Sequence, residues 1–99
     1  MAVEPLRDTP MTGIQAVSID HRKVLDYAKE GRWDDAHKLV QSFSDRISCL
    51  IHAYLHRVEG DLGNARYWYR RADEEMPDNT LEEEFARLSE SLGSNIGSA

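Results

Sequence analysis

Cys49, His52, His56 and Glu59 lie three, four and three residues apart. On a helix that spacing lines side chains along one strip. Thiolate, imidazole and carboxylate are all zinc ligands. Four donors on one straight helix cannot surround a tetrahedral ion. A metal site would use two or three of them and complete itself with Asp61, His37 or a second copy. The competing reading needs no ion: the helix packs on both sides, Cys49 and Ala53 fill space, and the imidazoles bond to neighbouring polar groups. That packing reading is the one adopted, with no metal and no cofactor expected.

A second group joins Tyr67-Trp68-Tyr69-Arg70-Arg71 to Arg57 and Arg66. Arginines beside aromatic rings can hold a carboxylate or phosphate. Local pairing is the simpler account, because Arg70 and Glu74, like Arg71 and Glu75, are four residues apart. Tyr69 is expected in the core. Tyr67 and Trp68 are less committed, since three adjacent aromatics cannot all face one core. A third group is His56, Arg57, Glu59, Asp61 and Asn64. His56 with Glu59 has the residue types of an acid–base pair, but there is no partnering nucleophile and capping explains Asp61. The chain has no phosphate-binding loop, no dinucleotide fingerprint, no HExxH and no paired-cysteine metal motif, so no enzyme is expected. His21 and His37 read as isolated surface residues.

The elements that must carry these groups are helices. Apolar residues recur at helical spacing, and no stretch alternates with period two. Helix 1 is expected from Ser18 to Glu30, capped by Ser18, with an earlier start near Thr12 as an alternative. Gly31 ends it in a left-handed conformation. Helix 2 follows from Trp33 to Phe43. Ser44 caps helix 3, Asp45 to Glu59, whose apolar stripe is Ile47, Leu50, Ile51, Tyr54, Leu55 and Val58. Gly60 stops it and Asp61 caps helix 4, Leu62 to Met76, which Pro77 closes. Thr80 and Glu83 form a capping box for helix 5, with Leu81, Phe85, Leu88 and Leu92 inward and Gly93 as its stop. Connections of two to five residues favour antiparallel neighbours. One domain spans 14–93, between flexible ends at 1–13 and 94–99.

Helix 4 carries Gly60, Leu62, Ala65, Tyr69, Ala72 and Pro77. A looser copy lies 29 residues upstream in Gly31, Trp33 and Ala36, where Phe43 takes the place of an alanine. This order of glycine, small residue, aromatic, alanine and proline resembles the second helix of a tetratricopeptide repeat, and helix 3 resembles the first. The resemblance covers residues 18–92. It implies an all-α fold, a right-handed stack of two antiparallel hairpins with helix 5 as the cap. It also implies a groove for a peptide or partner helix along the first helix of each hairpin, here with Tyr54 and Arg57 on its wall.

Composition bounds the function. A net charge of −6 argues against nucleic acid. No apolar run is long enough to span a bilayer. The start of the chain has no secretory h-region, and a single cysteine suits a reducing cytoplasm. Charge is uneven. Five arginines face Glu59 and Asp61 between Arg46 and Arg71, whereas eight acids face Arg87 alone between Asp73 and Glu90. The expected protein is a small cytoplasmic binding module, dimeric or bound to a protein partner. Its contact residues would be Tyr54, Arg57, Tyr67, Trp68, Arg70 and Arg71. The alternative is a small-molecule or metal-binding protein, with an enzyme as one form of it, using His52, His56, Glu59 and Asp61 with Tyr67 and Trp68.

Overall fold

A computed structural model describes residues 19–97. The expected N-terminal segment 1–13 and the helix starts at Thr12 or Ser18 lie outside the described residues. Five helices run in order: α1 His21–Lys29, α2 Trp33–Val40, α3 Arg46–Glu59, α4 Leu62–Arg71 and α5 Leu81–Gly97. No strand occurs among the described residues. No helix there is long and apolar enough to cross a membrane.

Each boundary has a local cause. Asp20, not Ser18, caps α1 by accepting from the Lys23 amide. Asp45, not Ser44, caps α3 by accepting from the Ser48 amide. In both cases a carboxylate one or two residues closer to the helix takes the orphan amide. Gly31 (φ 78°) and Gly60 (φ 88°) adopt the left-handed conformation expected of them. Asp61 caps α4 through the Asn64 amide. Thr80 and Glu83 exchange the two bonds of a capping box.

Three ends depart from expectation. α2 stops at Val40, short of Phe43. α4 stops at Arg71, five residues before Met76. Its terminator is Asp73, at φ 63°, with the Asp73 and Glu74 amides bonded back to the Arg70 and Tyr69 carbonyls. That left-handed cap closes the helix before Pro77 is reached. The link to α5 is therefore residues 72–80, longer than expected. α5 continues past Gly93, because a glycine weakens a helix without ending it unless it turns left-handed.

α3 is the centre. Nine consecutive residues, Ser48 through His56, are buried. A helix buried all round is a core element rather than one face of a core, and α3 packs on every other helix. Ala53, Ala65, Ala36 and Ala72 are sealed from solvent, and such small side chains let helix axes approach closely. The expected stripes are shorter than drawn: Val58 is 45% and Leu62 46% exposed, both beside the turn that joins α3 to α4. α5 lies on α3 and α1, while its backbone stays clear of α4. Phe85 meets Tyr54 at 5.9 Å between ring centroids.

Candidate functional sites

Two regions around α3 and α4 carry unexplained chemistry. The first is a cluster of imidazoles and indoles. Trp33 opens α2, and its indole N–H donates to the Leu55 carbonyl at 2.6 Å, which pins α2 to α3. One turn later His37 stacks on Trp33, 4.7 Å between centroids. That turn carries His37 inward to α3, where its Nε2 lies 3.1 Å from Nε2 of His52. His52 and His56 follow each other along α3 with rings 4.9 Å apart. Trp68 of α4 stacks on the far side of His52 at 3.9 Å. Nδ1 of His56 is held by Glu59 at 2.7 Å. Nδ1 of His52 is buried with no partner.

Burial, with the neighbouring His37 and His56, pushes His52 down to about 4. Burial and the nearby His56 also lower His37. Both rings are therefore neutral at neutral pH and have a lone pair to offer. Ligand atoms of His37, His52 and His56 all lie within 4.8 Å of one another, as do those of His56, Glu59 and Asp61.

Cys49 does not join this cluster. Its buried thiol points to the Ser44 carbonyl at 3.6 Å, and burial raises its pKa, so it packs as an apolar side chain. His37, expected on the surface, is a member. His21, also expected to be isolated, bonds to Asp45 at 2.9 Å and Ser48 at 3.2 Å. The signal for His37 was its position one helical turn after Trp33, the residue that anchors α2.

The second part is the outer face of α4. Tyr67 is 54% exposed. With Gly63, Arg66, Arg70 and Arg71 it lines an open depression of about 380 Å³. Arg71 lies over the Trp68 and Tyr67 rings at 4.8 and 5.9 Å, so Trp68 joins the two parts. The expected pairs of Arg70 with Glu74 and Arg71 with Glu75 do not form, because the helix ends before those acids. Glu74 instead binds Arg46 and Arg87. Arg66 and Arg70 have no acidic partner among the described residues. A second depression, lined by Arg70, Asp73, Glu74 and Glu75, continues the same surface.

Tyr54 borders an open depression with Ala28, Lys29, Leu81, Glu82 and Phe85, and Arg57 is half-buried. Tyr54 is only 8% exposed. Arg57 donates to the Asn79 side chain at 2.8 Å, to the Asn79 carbonyl, and to Tyr69 Oη at 3.4 Å. Behind them is a carboxylate that sequence reasoning missed. Glu84 is sealed from solvent and accepts from Tyr69 at 2.7 Å, Asn79 at 3.0 Å and Arg87 at 2.9 Å twice. The capping box marks Glu83, and helical spacing puts Glu84 between Leu81 and Leu88 on the inward stripe, but nothing local identifies its partners. Comparison with protein-family models, curated proteins and solved structures finds no match. The tetratricopeptide resemblance rests on the residues quoted for it.

Proposed function

We propose that this protein is a tetratricopeptide-like binding module that pairs with a second copy of itself through the outer face of α4. In this reading α1–α2 and α3–α4 are two hairpins of a right-handed stack. Their first helices, which would line a peptide groove in such a stack, carry α5 instead. The contact surface moves to the opposite side of the domain.

The observation that carries the reading is the order of charge on that surface. Arg66 and Arg70, without acidic partners, run directly into Asp73 and Glu75, which also have none among the described residues. A strip that is basic at one end and acidic at the other is complementary to itself when turned end for end. That is the requirement of a two-fold interface. Tyr67 supplies an apolar centre of the kind that dominates interface energetics.

Sedimentation equilibrium on the full chain tests the reading. A dimer is expected at tens of micromolar, about the range in which a specific interface is populated, weakening as salt rises. Arg70→Glu and Glu75→Arg should each be monomeric, and an equimolar mixture should recover a dimer. A monomeric parent across that range, or variants that dimerise like the parent, would overturn it.

A further inference from the structure

The three histidines have an arrangement that packing alone does not require. We propose that His37, His52 and His56 bind one divalent transition-metal ion of the zinc class, with Glu59 orienting His56 from behind. The proposal is independent of pairing through α4.

One pair of donors already has the spacing of a bound set, and all three ligand atoms lie within 4.8 Å of one another. Nitrogen ligands sit about 2.0–2.1 Å from zinc, so two of them on a tetrahedral ion stand roughly 3.3 Å apart. The facing Nε2 atoms of His37 and His52 are 3.1 Å apart. The imidazole centroids around such an ion are separated by roughly 5 Å. Here the three separations are 4.8, 5.4 and 4.9 Å. His52 and His56 are four residues apart on one helix, the spacing at which a helix presents two imidazoles to one ion. His37 supplies the third from α2, so the donors are not confined to one rod.

The surroundings fit as well. Glu59 takes Nδ1 of His56, which leaves Nε2 of that ring for an ion. A carboxylate on the distal nitrogen of a ligating histidine fixes its tautomer and raises its basicity. The bond between His37 and His52 occupies one proton, which moves to the other nitrogen of its ring when an ion is bound. Nδ1 of His52 has no other use in the structure. Trp33 and Trp68 wall the outer rings by stacking, so the donors are held rather than loose.

The donor set selects the ion. Three imidazoles suit zinc, copper or nickel, whereas magnesium and calcium require oxygen. Three protein ligands leave a fourth position for water or a small anion. The alternative grouping of His56, Glu59 and Asp61 is weaker. Glu59 already takes Nδ1 of His56, and exposed Asp61 is engaged in capping α4 through Asn64.

Cobalt(II) titration of chelator-stripped full-length protein tests the site, read by visible absorption and by quenching of tryptophan fluorescence, with displacement by zinc. One equivalent should bind with the intense bands of four-coordinate cobalt. His37→Gln, His52→Gln and His56→Gln should each weaken binding by about 100-fold or more, and Glu59→Gln by about 10–100-fold. Cys49→Ala should bind like the parent. If the two α3 variants fail to fold by circular dichroism, His37→Gln, a change at a half-buried position, still decides. No cobalt bound by the parent, or unchanged binding by folded His37→Gln, overturns the proposal.

Discussion

Glu84 is a carboxylate with no solvent-accessible surface, surrounded by donors from three parts of the chain. Burial alone pushes its carboxyl up. Hydrogen bonds from Arg87, Asn79 and Tyr69 offset this and hold it below the ordinary carboxylate range. A carboxyl whose folded pKa lies below its unfolded value stabilises the fold at pH above the unfolded value. That contribution is lost as pH falls through the folded value. Acid melts should therefore show the parent losing stability below about pH 4.5, the region of an unperturbed glutamate. Glu84→Gln should cost about 1–3 kcal/mol at neutral pH, because the buried site loses its charge-assisted hydrogen bonds while Arg87 keeps Glu74 as a partner. It should also flatten the acid limb of the curve. An acid limb with the parent's slope would mean that Glu84 is not the titrating group. Neither Glu84 nor His37 was legible as a site residue in the sequence. Helical spacing places both beside the apolar stripes of their helices, but the distant helix that each one meets is not encoded locally.

The helices themselves were largely legible. All five were placed by apolar periodicity and caps, and errors fell at their ends. The reason is physical: several residues within a turn compete to cap a helix, and only the folded backbone selects among them. Asp73 is the clearest case, since an L-residue in the left-handed region gives no signal comparable to Pro77. Asp73→Gly should raise stability by about 1 kcal/mol by relieving that backbone, measurable as a higher midpoint in urea. An unchanged or lower midpoint would show that the aspartate side chain compensates for its conformation. Ala65 was correctly placed at the α3–α4 contact, where it is fully buried. Ala65→Leu should overpack it and cost about 1–3 kcal/mol, seen in the same urea titration.

At the scale of the molecule, the position of α5 changes what the domain can present. A loose cap on the end of a stack would leave the α1/α3 face free. Here α5 spans α1 and α3, Arg22 reaches the Ser89 carbonyl at 3.4 Å, and Leu88 is buried in the common core. The sequence identified Phe85, Leu88 and Leu92 as inward residues of α5, whereas Leu81, also expected inward, is exposed; it did not give the face they cover, because amphipathicity states that a helix needs a partner without naming it. Leu88→Ala should cost about 2–5 kcal/mol. Calorimetry should show one transition displaced downward by roughly 4–8 °C per kcal/mol. A split into two transitions would mean that α5 melts apart from the other helices.

The burial of Cys49 has a practical consequence. It is the chain's only cysteine, 1% exposed in the middle of the most enclosed helix. A thiol reagent can reach it only when α3 opens, and α3 touches every other element, so that opening is expected to coincide with global unfolding. The rate of covalent labelling in native buffer would thus act as a clock for the rarest excursions of the fold. Any ligand that favours the folded state should slow that clock by the factor by which it deepens the native well.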